Sequence, residues 1–231
     1  LMKQRLNAAQ LGLTITYRCP KSVVALAKEI VADYSAAPAA PEGEVVQTTL
    51  SRAIEGLEVG DAVVSRLNAP LMGIALGLLR RGVAARIEGR DLGKQLVMMV
   101  KKLKAKSVPD FMKKLAKWGE KQQARVEALG GPYVESKVTL IQDQVMTLAA
   151  VAEGAESVDA IIASITDLFE DSENARREAV VCSSVHKAKG LEWGKVVLIA
   201  ETFKNKDKSL EESNIYYVAV TRAKRSLVWA E

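Results

Sequence analysis

The apolar run Val180–Cys182 leads straight into Ser183, Ser184, His186, Lys187 and Lys189, so two hydroxyls, an imidazole and two ammonium groups fall within seven residues. Such groups at the carboxyl end of a buried strand suit a phosphate, and Gly190 just behind them lets backbone approach a ligand. An ordinary lysine-bearing surface turn would read the same way. A second candidate is Arg222, which follows Thr221 at the end of the helical pattern Leu210–Ala219. A guanidinium there can neutralise an anion or simply cap the last carbonyls of the helix. The third is the pair Tyr17-Arg18, just ahead of a helix start near Pro20–Ser22, where an aromatic face beside a guanidinium suits a nucleotide.

The elements that must position these residues alternate. Short apolar, β-rich runs occur at Glu44–Thr48, Asp61–Ser65, Val83–Ile87, Val180–Ser184, Val196–Ala200 and Leu227–Trp229. Helical patterns lie between several of them, at Ser22–Tyr34, Leu71–Arg81 and Leu210–Ala219. Strand and helix in alternation predict an α/β fold with a parallel sheet. From about Leu92 to Phe169 only helical periods occur, broken at Ser107-Val-Pro109, at Gly130-Gly-Pro132 and near Gly154, which predicts a helical insertion. Ala36–Gly43 reads as a loop and Phe203–Lys208 as a polar connection.

The middle of the chain is electrically polarised. Lys94 to Arg125 holds ten basic residues against Asp110 and Glu120, whereas eight acidic residues between Glu153 and Glu178 face only Arg176 and Arg177. Solvated faces of long helices, with Leu103, Phe111, Leu115 and Trp118 turned inward, account for the basic stretch; contact with DNA is the other reading.

Composition removes several classes. With 48% hydrophobic and 26% charged residues among 231, the chain is globular rather than disordered. No apolar run reaches the roughly 18 residues of a membrane span, and the start shows no leader. Cys19 and Cys182 form no CxxC pair and a single histidine completes no zinc set, which points to reduced thiols, a cytoplasmic location and no bound structural metal. A net charge of +5 permits a polyanionic partner without requiring one. There is no GxxxxGK[ST] phosphate loop: Gly190 to Val196 is one residue short between its glycines and ends in Val where magnesium needs a hydroxyl. GxSxG and HExxH are absent as well, so catalysis by this chain alone is not expected.

Taken together and in order, these segments resemble the C-terminal half of UvrD/Rep/PcrA-type superfamily 1 DNA helicases. Tyr17-Arg18 resembles motif IV, and Asp61-Ala-Val-Val-Ser-Arg-Leu-Asn68 resembles motif IVa, continued by Leu78–Val83 and Ile87-Glu-Gly89. Val181–Trp193 is similar to motif V, TxHxAKGLEF in the family, and Tyr217–Lys224 to motif VI, YVAxTRA. Ser184 stands where the family has Thr and Trp193 where it has Phe, and the helical insertion is short.

The resemblance implies a second RecA-like domain, residues 1–91 and 178–231, with residues 92–177 as a small helical inserted subdomain. It implies a parent chain whose N-terminal motor domain carries the phosphate loop and the magnesium ligands, so that ATP and Mg2+ are the cofactors. Arg222 and Arg18 would act on the γ-phosphate, Arg222 as the arginine finger. Tyr17 would stack near adenine and Glu192 would accept a hydrogen bond from the ribose. Ser184, His186, Arg66 and Asn68 would face single-stranded DNA, and the insertion would meet duplex DNA. The activity implied is ATP-dependent translocation from 3′ to 5′ with unwinding, of use in DNA repair. A helicase half kept only for binding DNA or protein would have the same fold and equally lack the phosphate loop. The Leu at position 1 fits residues preceding it in a longer chain.

Overall fold

The computed structural model describes residues 12–131, 133–169, 178–203 and 209–231. The first residues of the chain, the connection at 204–208 and the acidic positions Glu170, Asp171 and Glu173 with Arg176 and Arg177 lie outside them.

In chain order the elements are β1 (Ile15–Thr16), α1 (Lys21–Ala27), β2 (Ser35–Ala36), β3 (Glu44–Thr48), α2 (Leu50–Glu55), β4 (Ala62–Ser65), α3 (Ala69–Arg80) and β5 (Ala85–Ile87). Four helices follow: α4 (Arg90–Leu103), α5 (Val108–Leu129), α6 (Val134–Ala152) and α7 (Val158–Leu168). The chain then re-enters the sheet through β6 (Val180–Ser184), α8 (Val185–Ala188), β7 (Trp193–Ile199), a 3-10 turn (Ala200–Phe203), α9 (Leu210–Val220) and β8 (Ala223–Ala230).

Six strands form one sheet in the order β3-β8-β7-β4-β6-β5, and every pairing is parallel. Parallel strands buried on both faces favour apolar side chains, and β4 and β6 are buried throughout, with serines only at their carboxyl ends. The two-residue period sorts those side chains. Val63, Val180, Cys182, Val197, Ile199 and Val228 point to one core, shared with α3 and the stretch α4–α7. Ala62, Val64, Val181, Val196, Leu198 and Leu227 point to the other, shared with α1, α8 and α9.

Local chemistry sets the helix ends. Ser107, Ser157 and Ser209 each accept from the backbone N–H three residues on, opening α5, α7 and α9. Lys104, at φ 47°, closes α4. In α5 the apolar positions Phe111 and Leu115 are fully buried and Trp118 is half-buried, while Lys113, Lys117, Lys121 and Arg125 stay exposed. α4 approaches α7 closely because Gly93 carries no Cβ; one placed there would lie 2.6 Å from the Cβ of Phe169.

Some elements differ from the sequence pattern. The helix expected over Ser22–Tyr34 ends at Ala27, since Ser35 must reach back to donate its amide to Thr14 and pair with Ile15, and the intervening residues turn to allow it. Strand β5 begins at Ala85 rather than Val83, and β8 extends over Ala223–Ala230. The polar turn expected after β6 closes into the single helical turn α8. No described helix is long and apolar enough to cross a membrane.

Candidate functional site

The singled-out residues fall at two opposite ends of the sheet. Trp193 pairs with Ala223 at the amino ends of β7 and β8, while Ser65 pairs with Ser184 at the carboxyl ends of β4 and β6. Along β7 the two ends are six residues apart, about 20 Å at 3.3 Å per residue. Tyr17, Arg18, Glu192 and Arg222 gather at the first end; Arg66, Asn68, Ser184 and His186 gather at the second.

At the first end Arg222 leaves the α9–β8 turn and is only 7% exposed. Its guanidinium donates to the carbonyl of Val218 from Nε at 2.8 Å, to the carbonyl of Leu191 from Nη1 at 3.0 Å and to Thr221 Oγ1 from Nη2 at 3.1 Å. All three acceptors are neutral, and among the described residues no carboxylate pairs with it. Burial, and then the positive charge of Arg18, weaken its hold on the proton relative to a free arginine. A buried cation left with only neutral partners attracts an anion.

Arg18 follows β1 and is held in place by Thr16, whose Oγ1 accepts from the amides of Arg18 and Cys19. The Cys19 thiol donates to the carbonyl of Thr221 at 3.6 Å and accepts from the hydroxyl of Tyr34, which lashes this segment to the Arg222 turn. Arg18 Nε lies 2.6 Å from Glu192 Oε2, and Lys224 Nζ lies 3.3 Å from Glu192 Oε1. Partial burial opposes ionisation of Glu192, but the bonds from Arg18 and Lys224 outweigh it and hold the carboxyl below the ordinary glutamate range. Tyr17 stands beside them, 86% exposed. The cluster presents three cations to one carboxylate, with an aromatic ring free at its edge. Lys224 escaped the sequence reading as a site residue, although it ends the same Tyr217–Lys224 segment.

At the second end Ser184 is buried at the start of α8 and His186 stands exposed two residues on. His186, Lys189, Glu211 and Asn214 line a cavity of about 420 Å³ between α8 and α9. Burial, and next the charge of Arg66, lower the His186 pKa against the opposing pull of Glu211 and Glu212, which favours the neutral ring. Arg66 Nη2 lies 3.2 Å from Glu212 Oε1, and among the described residues its Nε has no hydrogen-bond partner. Asn68 is committed to the protein: its Nδ2 donates to Asp143 Oδ2 at 2.9 Å. A larger concavity of about 670 Å³ beside β3 mixes Arg52, Lys195 and Arg225 with Glu44, Glu58 and Asp61, and includes none of these candidates.

α9 joins the two ends. Glu212 in its first turn holds Arg66, and Val218 near its last turn holds Arg222.

Residues 179–229 match the family model of the UvrD-like helicase C-terminal domain. The match covers 51 of the 231 residues. It contains β6, α8, β7, α9 and nearly all of β8, hence Ser184, His186, Glu192 and Arg222. No curated protein matches the chain. Tyr17, Arg18, Arg66 and Asn68 lie outside the matched residues and are brought to them by the fold. Among the described residues no group of three His, Cys, Asp or Glu side chains is placed to hold a metal ion.

Proposed function

We propose that the chain is the second motor half of an ATP-dependent DNA helicase and completes an ATP site whose phosphate loop and magnesium ligands reside on an N-terminal motor domain of the same parent polypeptide. The observation that carries this reading is Arg222: a buried guanidinium without a carboxylate partner, beside Arg18, in a UvrD-like segment. ATP, bound with Mg2+, would supply the hydrolysable γ-phosphate. Arg222 and Arg18 fit that group by charge: both lie at one end of the sheet, Arg222 held by three neutral acceptors and Arg18 resting on Glu192, from which it can turn. Arg222 would offset charge developing on the phosphoryl group, Tyr17 would stack on the base, and Glu192 would accept from the sugar once Arg18 turns to phosphate.

In this reading residues 1–91 and 178–231 form the RecA-like half and residues 92–177 the inserted subdomain. The carboxyl ends of β4 and β6, with Ser184, His186 and Arg66, would track single-stranded DNA through its backbone, with 3′ to 5′ polarity, while Asn68, bonded to Asp143, would hold the loop that carries Arg66. The exposed cations of α4 and α5 would meet the duplex. α9, anchored at Arg66 by Glu212 and at Arg222 by Val218, gives the DNA edge a rigid link to the nucleotide edge.

The test is ATP hydrolysis by the parent polypeptide with single-stranded DNA. Arg222→Ala should lower single-turnover hydrolysis at least about a hundredfold while DNA binding persists. A wild type without DNA-stimulated hydrolysis would replace this reading with a binding module derived from a helicase half.

A further inference from the structure

Asp143, in the middle of α6, is a carboxylate only 5% exposed, and no basic side chain among the described residues pairs with it. Its partners are the loop that follows β4. Asp143 Oδ1 accepts from the amide of Ala69 at 2.8 Å and from that of Asn68 at 3.0 Å, while Oδ2 accepts from Asn68 Nδ2 at 2.9 Å. The amino end of α3 is therefore capped by a side chain from a helix 74 residues downstream, and Asn68, which occupies the cap position, makes no cap bond of its own.

The other amides of the same loop are also held by side chains. Arg66 N donates to Thr202 Oγ1 at 3.1 Å and Leu67 N to Ser65 Oγ at 3.1 Å. Four successive amides, 66 to 69, thus have side-chain acceptors drawn from three places: the 3-10 turn, β4 and α6. With its backbone fixed in this way, the loop sets the point and direction from which the Arg66 side chain leaves, and Glu212 Oε1, 3.2 Å from Nη2, holds its far end. Of the three anchors, Asp143 alone belongs to the stretch α4–α7, and it alone carries a formal charge at the positive end of α3.

We propose that Asp143 is a positioning residue for the DNA edge: through its bonds to Asn68 and Ala69, helix α6 sets where Arg66 meets a backbone phosphate. This rests on the reading of the carboxyl ends of β4 and β6 as the single-strand face. Asp143 touches no ligand itself. A shift of α6 against α3 would move Arg66, so the helical stretch and the DNA edge act as one unit.

The experiment measures binding of the full chain to a fluorescein-labelled oligothymidylate across a salt series, for wild type, Asp143→Asn, Arg66→Ala and the double variant. Asp143→Asn keeps the side-chain shape but replaces one of the two accepting oxygens by an NH2 that cannot accept, and removes the charge. It is expected to weaken binding about fivefold or more and to reduce the salt slope by about one, the signature of one lost phosphate contact. Added to Arg66→Ala it should change affinity by less than about twofold. A merely stabilising cap would leave the slope unchanged and its effect would add fully to that of Arg66→Ala, which overturns the proposal while the single-strand reading survives. If Arg66→Ala has no effect, or the wild type does not bind, the single-strand reading falls and the proposal with it. Should Asp143→Asn fail to fold, Asp143→Glu, which keeps the charge but displaces the carboxylate by one methylene, is expected to give the same lowered slope; an unchanged slope overturns the proposal.

Discussion

Thr221 provides a sharp test of how Arg222 is held. Its hydroxyl, 1% exposed at the level of the residue, donates to the carbonyl of Tyr217 at 2.9 Å and accepts from Arg222 Nη2 at 3.1 Å. Thr221→Val preserves volume, so no cavity term arises. The bond from threonine to the carbonyl four residues earlier contributes little on its own. What remains is a guanidinium N–H of a buried cation facing a methyl group, a loss of about 2 kcal/mol. In a domain of this size that corresponds to a fall in Tm of about 4–8 °C. Urea denaturation of Thr221→Val, Arg222→Met and the double variant isolates the pair. With Arg222 replaced, Thr221→Val should cost less than about 0.5 kcal/mol, giving a coupling above about 1 kcal/mol. Equal cost in both backgrounds, or no cost in either, would refute the claim that the hydroxyl is one of the three neutral acceptors that hold the guanidinium.

Two further outcomes follow from the same geometry. Phe111, fully buried between the helices of the α4–α7 stretch, should cost about 3–5 kcal/mol when replaced by Ala, measured by chemical denaturation. A cost below about 1 kcal/mol would mean that α5 is not packed on that core. For Glu192, whose carboxyl is held below the ordinary range by Arg18 and Lys224, the stabilisation is present above the unfolded glutamate value and lost as pH falls through the lower folded value. The Tm difference between wild type and Glu192→Gln should therefore be flat from neutral pH to about pH 5 and shrink only below it, and a difference that vanishes near neutrality would contradict this.

Much of the sheet was legible because β4, β6 and β7 each contain a short valine-rich run, Val63-Val64, Val180-Val181 and Val196–Ile199, the pattern that burial on both faces favours. The helical stretch was legible from its period and from glycines at its breaks. The two-residue strands β1 and β2 were not, because their pairing is set by Ser35 reaching Thr14 across the chain rather than by local pattern. For the same reason the apolar spacing through Ile30 and Val31 continued to read as helix where the backbone turns. In the site, the family resemblance singled out Glu192 and Arg222, but no sequence signal showed that Arg222 is turned inward onto carbonyls. Asp143 carried no signal: a lone acid in an amphipathic helix, its role exists only because α6 packs against the start of α3. The lysines of α4 and α5 followed the solvated-face pattern, with Phe111 and Leu115 inward.

The most direct measurement of the central claim, that Arg222 acts on the reacting phosphate in trans, is the affinity of the parent polypeptide for ADP–aluminium fluoride in the presence of single-stranded DNA. ATP binding under non-hydrolysing conditions serves as the comparison. Arg222→Ala should weaken the transition-state mimic by at least about a hundredfold and ATP by less than about tenfold. Equal losses for both ligands, or none for either, would contradict it.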